Sequence, residues 1–145
     1  MYQRILYTFY VFSYVLGGLF IYTGTKKLKD YTSYAAHIEA SQLFTTTVSP
    51  WVSKGVIAIE ILLALLLITP ITRIQIWAWC TAFLLMVSYS YYIYYILKKA
   101  PFVPCACKAV YEQLGWMGHL YLNAGIAILA LMVFWMYYKW ISIKN

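Results

Sequence analysis

The sequence has few charged residues: they make up only 10 % of its 145 residues, and only four of them are acidic. Soluble domains have roughly a quarter of their residues charged, and a fold of this size leaves much of its surface in water. Cysteine is also scarce, at three residues, which excludes a disulfide-rich secreted scaffold. What the sequence has instead is 64 % apolar residues, which excludes disorder and leaves an integral membrane protein.

Basic residues outnumber acidic ones and give a net charge of +7, but they do not form the block expected of a nucleic-acid-binding protein. Many of them stand at the ends of apolar runs, where they would meet lipid headgroups: Lys26, Lys27, Lys98, Lys99 and Lys139. Aromatic residues reach 20 %, which is typical of proteins that place amphipathic rings at both membrane faces. We therefore expect a lipid bilayer, and no nucleic acid, as the partner of this surface.

Four apolar runs are long enough to cross a bilayer, whose hydrocarbon core needs about 20 residues of helix. They cover about residues 5–24, 51–69, 74–97 and 116–138. Helix is expected for all four, because lipid offers the backbone no hydrogen-bonding partner. No small-x-small cleavage site follows the first run, so we expect a retained span. The prediction is an all-α integral membrane protein, with one domain over residues 1–145 folded as a four-helix bundle.

Four spans put both chain termini on one side of the membrane and the two longer connections, residues 25–50 and 98–115, on the other. In the first connection apolar side chains recur at roughly helical spacing: Tyr31, Tyr34, Ala35, Ile38 and Leu43. We predict a short amphipathic helix that lies in the membrane interface and ends at the three threonines 45–47.

Cys105 and Cys107 stand one residue apart in the second connection, beside Lys108. Positive charge favours the thiolate, which exchanges disulfides and binds metals, and a Cys-x-Cys disulfide closes a strained and therefore oxidising ring. Thiol–disulfide exchange by this pair is the leading interpretation. A metal site, with copper as the candidate, and a merely structural role stay open. Cys80 lies about 25 Å along the third span from Lys98 and is expected to be a packing residue.

Polar groups inside the spans are the second candidate site. A carboxylate at Glu60, in the middle of the second span, costs several kcal/mol unless it is protonated or paired. Trp116, His119 and Asn123 have the spacing i, i+3 and i+7, which places them on one face of the fourth span. We expect Glu60, Asn123 and Trp116 to bind a cofactor, with a quinone as the candidate, and His119 to move protons. The alternative is that these groups only hydrogen-bond neighbouring helices.

Glycines and tyrosines are interpreted as packing and interface features. Gly17, Gly18 and Gly24 in the first span should let another helix approach closely. The tyrosines between positions 89 and 95, at the end of the third span, favour an aromatic belt over a ligand pocket.

Taken together, these motifs resemble the DoxX/MauE group of small membrane proteins. Residues 24–28, GTKKL, are similar to the small-Gly-x-x-Lys-Leu signature of that group. The group also has a Glu in the second span, a Cys-x-Cys loop before the last span and an Asn within it. One difference is that Lys108-Ala109 stands where a Phe-Gly-type pair usually follows the cysteines.

The resemblance implies a four-helix protein of the bacterial inner membrane that serves the thiol–disulfide chemistry of exported proteins, often with thioredoxin-like partners. By this match Cys105 and Cys107 would be the redox pair, and Lys27, Glu60 and Asn123 would form a polar core. The leading hypothesis is a membrane thiol–disulfide oxidoreductase that relays electrons between these cysteines and a thioredoxin-like or exported client protein, with a quinone. The alternatives are a non-catalytic subunit of a larger membrane complex and a copper-handling protein.

The two arguments about orientation disagree. Seven of the eleven cations lie on the cysteine-bearing side, which by the positive-inside rule would be cytoplasmic. Disulfide chemistry belongs to oxidising compartments, which favours an extracytoplasmic loop. We expect the extracytoplasmic placement, because cations on an interfacial helix bind headgroups of either leaflet.

Overall fold

The computed structural model describes residues 2–99 and 115–144, with side chains over residues 6–99 and 115–139. Its described residues form five helices and no strand: α1 (Tyr2–Lys29), α2 (Tyr31–Ala40), α3 (Ser49–Ile68), α4 (Thr72–Lys99) and α5 (Gly115–Lys144). Four of them are long and apolar enough to cross a membrane, over Leu6–Lys29, Ser49–Ile68, Thr72–Lys99 and Gly115–Lys139. The predicted all-α class with four spans is confirmed, and the chain is a multi-pass membrane protein.

The helix ends follow from local chemistry. Pro50 stands in the first turn of α3, where the missing backbone N–H is not needed. Thr69 is extended because Pro70 follows it, so α3 ends at Ile68. The side chain of Gln75 then donates to the carbonyl oxygen of Leu67 at 2.9 Å, which satisfies a backbone acceptor at the end of α3. The short turn therefore joins α3 and α4 as a helical hairpin.

The helix α2 is shorter than the sequence pattern predicts. It ends at Ala40 and not at the three threonines, because the Ser41 hydroxyl bonds back to the carbonyl oxygen of Ile38 and Gln42 adopts a left-handed φ of 56°. Ile38 is its one buried side chain among the described residues. The helix packs on α3 and on the end of α1, so it covers the edge of the bundle on the cysteine-bearing side.

The core lies toward the side of the termini. Trp79 is fully buried, and its indole N–H donates to the hydroxyl of Ser13 at 2.9 Å, which in turn donates to the carbonyl oxygen of Phe9. The α4 and α5 helices bury small residues that permit close approach: Ala78, Ala82, Ala127 and Ala130. Extensive packing joins α1 to α3, α3 to α4 and α4 to α5, whereas α1 and α5 meet at few points.

Candidate functional site

A buried ion pair joins α1 to α3. The ammonium of Lys27 lies 2.5 Å from Oε1 of Glu60, although 33 positions separate the two residues in the sequence. The side chain of Glu60 is 1 % exposed and that of Lys27 is 14 % exposed. Because an unpaired carboxylate in the bilayer would be costly, the lysine compensates for burying the acid. Lys27 is thus an internal cation, and our expectation that it meets lipid headgroups was wrong.

Tyr89 brings a third helix into this cluster. Its hydroxyl, on α4, donates to Oε1 of Glu60 at 2.5 Å and accepts from the Lys27 ammonium at 3.3 Å. The ammonium also lies 4.8 Å from the centre of the Tyr89 ring and 5.3 Å from that of Tyr34 on α2, so both rings stabilise the cation. Lys27, Glu60 and Tyr89 form what we call the polar triad.

Glycine explains why α1 comes so close to the acid. A Cβ on Gly24 would lie 3.1 Å from Cγ1 of Ile61 and 3.6 Å from Cβ of Glu60. A Cβ on Gly17, two turns earlier in α1, would lie 2.9 Å from Cγ1 of Ile68. These two glycines therefore give α1 a smooth face toward α3, as the sequence predicted for them. A Cβ on Gly18 would have no other atom within 4 Å, so the prediction that Gly18 permits close approach of another helix is wrong.

The polar triad lines a cavity of about 340 Å³, which we call the polar cavity. All five helices contribute to its wall, and most lining residues are apolar or aromatic. A volume of this size suits a small organic ligand, and a mainly apolar wall with a few convergent polar groups is the usual composition of such sites. Oε2 of Glu60 has no hydrogen-bond partner among the described residues and lies beside Gly24.

The helix α5 supplies further polar residues of this wall. Trp116, His119 and Asn123, the residues that the sequence places on one face, all line the polar cavity together with Glu60 and Lys27. Asn123 is half-buried on this wall. The structure thus brings together five of the seven predicted site residues, while their roles stay predictions.

Burial and charge keep Tyr34 neutral. This residue lies on α2, outside the spans, and also lines the polar cavity. Burial first, and then the negative charge of Glu60, raise the pKa of Tyr34 well above its ordinary value of 10. Its phenol is therefore a proton-bearing donor at any physiological pH.

The remaining predicted residues, Cys105 and Cys107, lie outside the described residues. Cys80, in contrast, is described as a free, half-buried thiol on α4. Within the described ranges, no three His, Cys, Asp or Glu side chains are grouped as they would be around a metal ion.

A comparison with models of known protein families identifies the family of this chain. The family model described as methylamine utilisation protein MauE matches residues 5–136. The chain belongs to the MauE family. The match confirms the resemblance to DoxX/MauE-like proteins and links the chain to methylamine utilisation at the level of the family. No significant match to a curated protein or to a solved structure was found.

Sequence reasoning missed the tyrosines of this MauE-family site. Tyr89 and Tyr92 were grouped with the aromatic belt, but both line the polar cavity. Tyr91 and Tyr94 do face outward, at 65 % and 48 % exposure. The helical period of the sequence could have separated the two groups. Tyr89 and Tyr92 are three residues apart and share one face of α4, whereas Tyr91 and Tyr94 lie on a different face.

Proposed function

We propose that this MauE-family protein is a membrane thiol–disulfide oxidoreductase that passes electrons from a client protein, by way of Cys105 and Cys107, to a quinone in the polar cavity. The client is a thioredoxin-like or exported protein with a dithiol. The observation that carries the proposal is the polar cavity itself. It gathers Lys27, Glu60, His119 and other polar groups inside an apolar wall, in a chain whose Cys-x-Cys motif shortly precedes α5.

The proposed reaction has two balanced steps. The Cys105–Cys107 disulfide accepts two electrons and two protons from the client dithiol through a mixed disulfide, and the client leaves as a disulfide. The resulting cysteine dithiol then gives two electrons and two protons to the quinone, which becomes a quinol. The Cys105–Cys107 disulfide is regenerated, and no further oxidant is required.

The residues that line the cavity suit the second step. Asn123 and Trp116 carry N–H groups that can donate to a quinone oxygen, and the α5 helix places both on the cavity wall. His119, on the same wall, would move the protons. The polar triad would hold the Lys27–Glu60 ion pair in a fixed position beside the quinone ring. Such a preorganised polar environment stabilises the negative charge that develops on the quinone oxygens during reduction.

We place the protein in the bacterial inner membrane with the Cys-x-Cys loop on the extracytoplasmic side. The internal pairing of Lys27 with Glu60 removes one lysine from the cations that meet headgroups on the cysteine-bearing side. This weakens the charge argument for a cytoplasmic loop. The need for an oxidising compartment then favours the opposite orientation.

The test uses the full chain in phosphatidylcholine nanodiscs that contain no native quinone. Reduced thioredoxin is the electron donor and decylubiquinone the acceptor, and quinol formation is followed by ultraviolet absorbance. We expect one quinol for each thioredoxin disulfide formed. The Cys105→Ser/Cys107→Ser variant should lose this activity, whereas Cys80→Ser, the matched control, should retain it.

Quinol formation that persists in the Cys105→Ser/Cys107→Ser variant would overturn the proposal. So would a wild-type protein that reduces neither decylubiquinone nor a menaquinone analogue. A stable, reductant-insensitive complex with another membrane protein, together with that inactivity, would support the role of a non-catalytic subunit. Copper bound in proportion to the two cysteines would support metal handling.

A further inference from the structure

A second hollow lies between α1 and α5. It has a volume of about 160 Å³ and is lined by Leu6, Phe9 and Phe12 of α1 and by Met132, Val133 and Met136 of α5, among others. Almost all of its wall is apolar. We call it the apolar cleft. The stacked rings of Phe9 and Tyr137, with centroids 4.8 Å apart, are part of it.

The α1 and α5 helices line both the polar cavity and the apolar cleft, and we call the groove between these two helices the seam. The α1 helix lines the polar cavity with residues from Leu19 to Lys27, and α5 lines it from Trp116 to Ile126. The apolar cleft follows toward the other membrane face, and its first residue on α5 is Leu129. Ile126 and Leu129 are one turn apart, about 4.5 Å along the axis, so the two hollows are consecutive on α5.

The apolar cleft lies at the outer edge of the α1–α5 contact. The α1 and α5 helices meet at few points, whereas α1 packs closely on α3 and α5 on α4. Met132 and Met136, on the α5 wall of the apolar cleft, are 55 % and 56 % exposed. These exposed side chains place the apolar cleft at the surface of the bundle, where a molecule dissolved in the bilayer can reach it.

We propose that the ligand of the polar cavity is a quinone with a long hydrocarbon tail, whose ring lies beside Asn123 and the polar triad and whose tail lies along the seam in the apolar cleft. The inference rests on the proposed function and narrows its substrate class. Asn123 and Met132 are about 13–14 Å apart along the axis of α5 and half a turn apart around it. A tail that leaves the polar cavity therefore passes Leu129 and Val133 before it reaches Met132. Both hollows are then used by one amphipathic molecule.

The test compares two quinones with the same ring, one without a tail and one with a tail of about fifteen carbons. Their Kd values are measured in quinone-free phosphatidylcholine nanodiscs. Met132→Trp places an indole in the apolar cleft. Its matched control is Leu131→Trp, since Leu131 is 49 % exposed on the same helix and lines neither hollow.

We expect Met132→Trp to raise the Kd of the tailed quinone by about three- to tenfold. The effect is modest because a tail that leaves lipid gains packing but no hydrophobic transfer energy. The Kd of the tail-less quinone should stay unchanged in Met132→Trp, and both Kd values should stay unchanged in Leu131→Trp.

Equal Kd values for the tailed quinone in wild type and Met132→Trp would overturn the inference and leave the proposed function standing. A loss that is the same for both quinones would also overturn it, because the substitution would then act on the ring site. If neither quinone binds the wild-type protein, the proposed function itself fails.

Discussion

Removing the cation of the polar triad should cost more stability than removing its neighbour. Lys27→Met deletes the ammonium that lies 2.5 Å from the Glu60 carboxylate, whereas Lys26→Met deletes an adjacent positive charge and serves as the control. Breaking a buried pair from one side typically costs about 3–5 kcal/mol. Tyr89 still donates to Oε1 of Glu60, so we expect a loss of about 3 kcal/mol, at the lower end of that range.

The free energy of unfolding is measured in mixed micelles by titration with sodium dodecyl sulfate, followed by tryptophan fluorescence. A double-mutant cycle with Glu60→Gln isolates the interaction, because the amide oxygen can still accept from Tyr89. We expect Lys27→Met/Glu60→Gln to be more stable than the sum of the single effects by about 1–2 kcal/mol. Equal losses in Lys27→Met and Lys26→Met, or strict additivity in the cycle, would refute the reasoning.

Three further predictions follow from the geometry. Gly24→Ala should lower the free energy of unfolding by about 1–3 kcal/mol because its Cβ meets Ile61, whereas Gly18→Ala should be nearly neutral, and the same titration tests both. In an absorbance titration, Tyr34→Phe and the wild type should give the same phenolate signal up to about pH 11, because the raised pKa of Tyr34 keeps its phenol protonated. A smaller phenolate signal in the variant below this pH would contradict the raised pKa. In a Cys80→Ser background, a membrane-impermeant maleimide should label the loop cysteines in intact cells, and labelling only after lysis would place them in the cytoplasm.

Composition and periodicity were sufficient for the fold because the bilayer restricts it so strongly. Apolar runs of span length have no alternative to helix in lipid, so the four spans and the turn before α4 were predictable. The extent of α2 was not, because the Ser41 hydroxyl and the left-handed Gln42 end it by local hydrogen bonding and backbone geometry, which hydrophobic periodicity does not report.

The site was predictable only in part. A buried Glu60 needs a partner, and that requirement follows from electrostatics alone, but the identity of the partner depends on how α1 is rotated against α3. The resemblance to DoxX/MauE proteins identified Lys27 as a candidate. In the structure, the close contact of α1 with α3 at Gly24 directs the Lys27 side chain toward Glu60. Tyr89 was missed because a tyrosine near a span end has the same sequence signature whether it faces lipid or a cavity.

The spacing of the ion pair along the chain also has a consequence for biosynthesis. Lys27 leaves the ribosome 33 residues before Glu60, which at ordinary elongation rates is a lead of about 2–7 seconds. The first span is therefore already available when the acidic span is handed to the translocation machinery. The carboxylate can enter the bilayer alongside a waiting counter-ion, and a truncated chain that lacks the first span should insert the second one poorly.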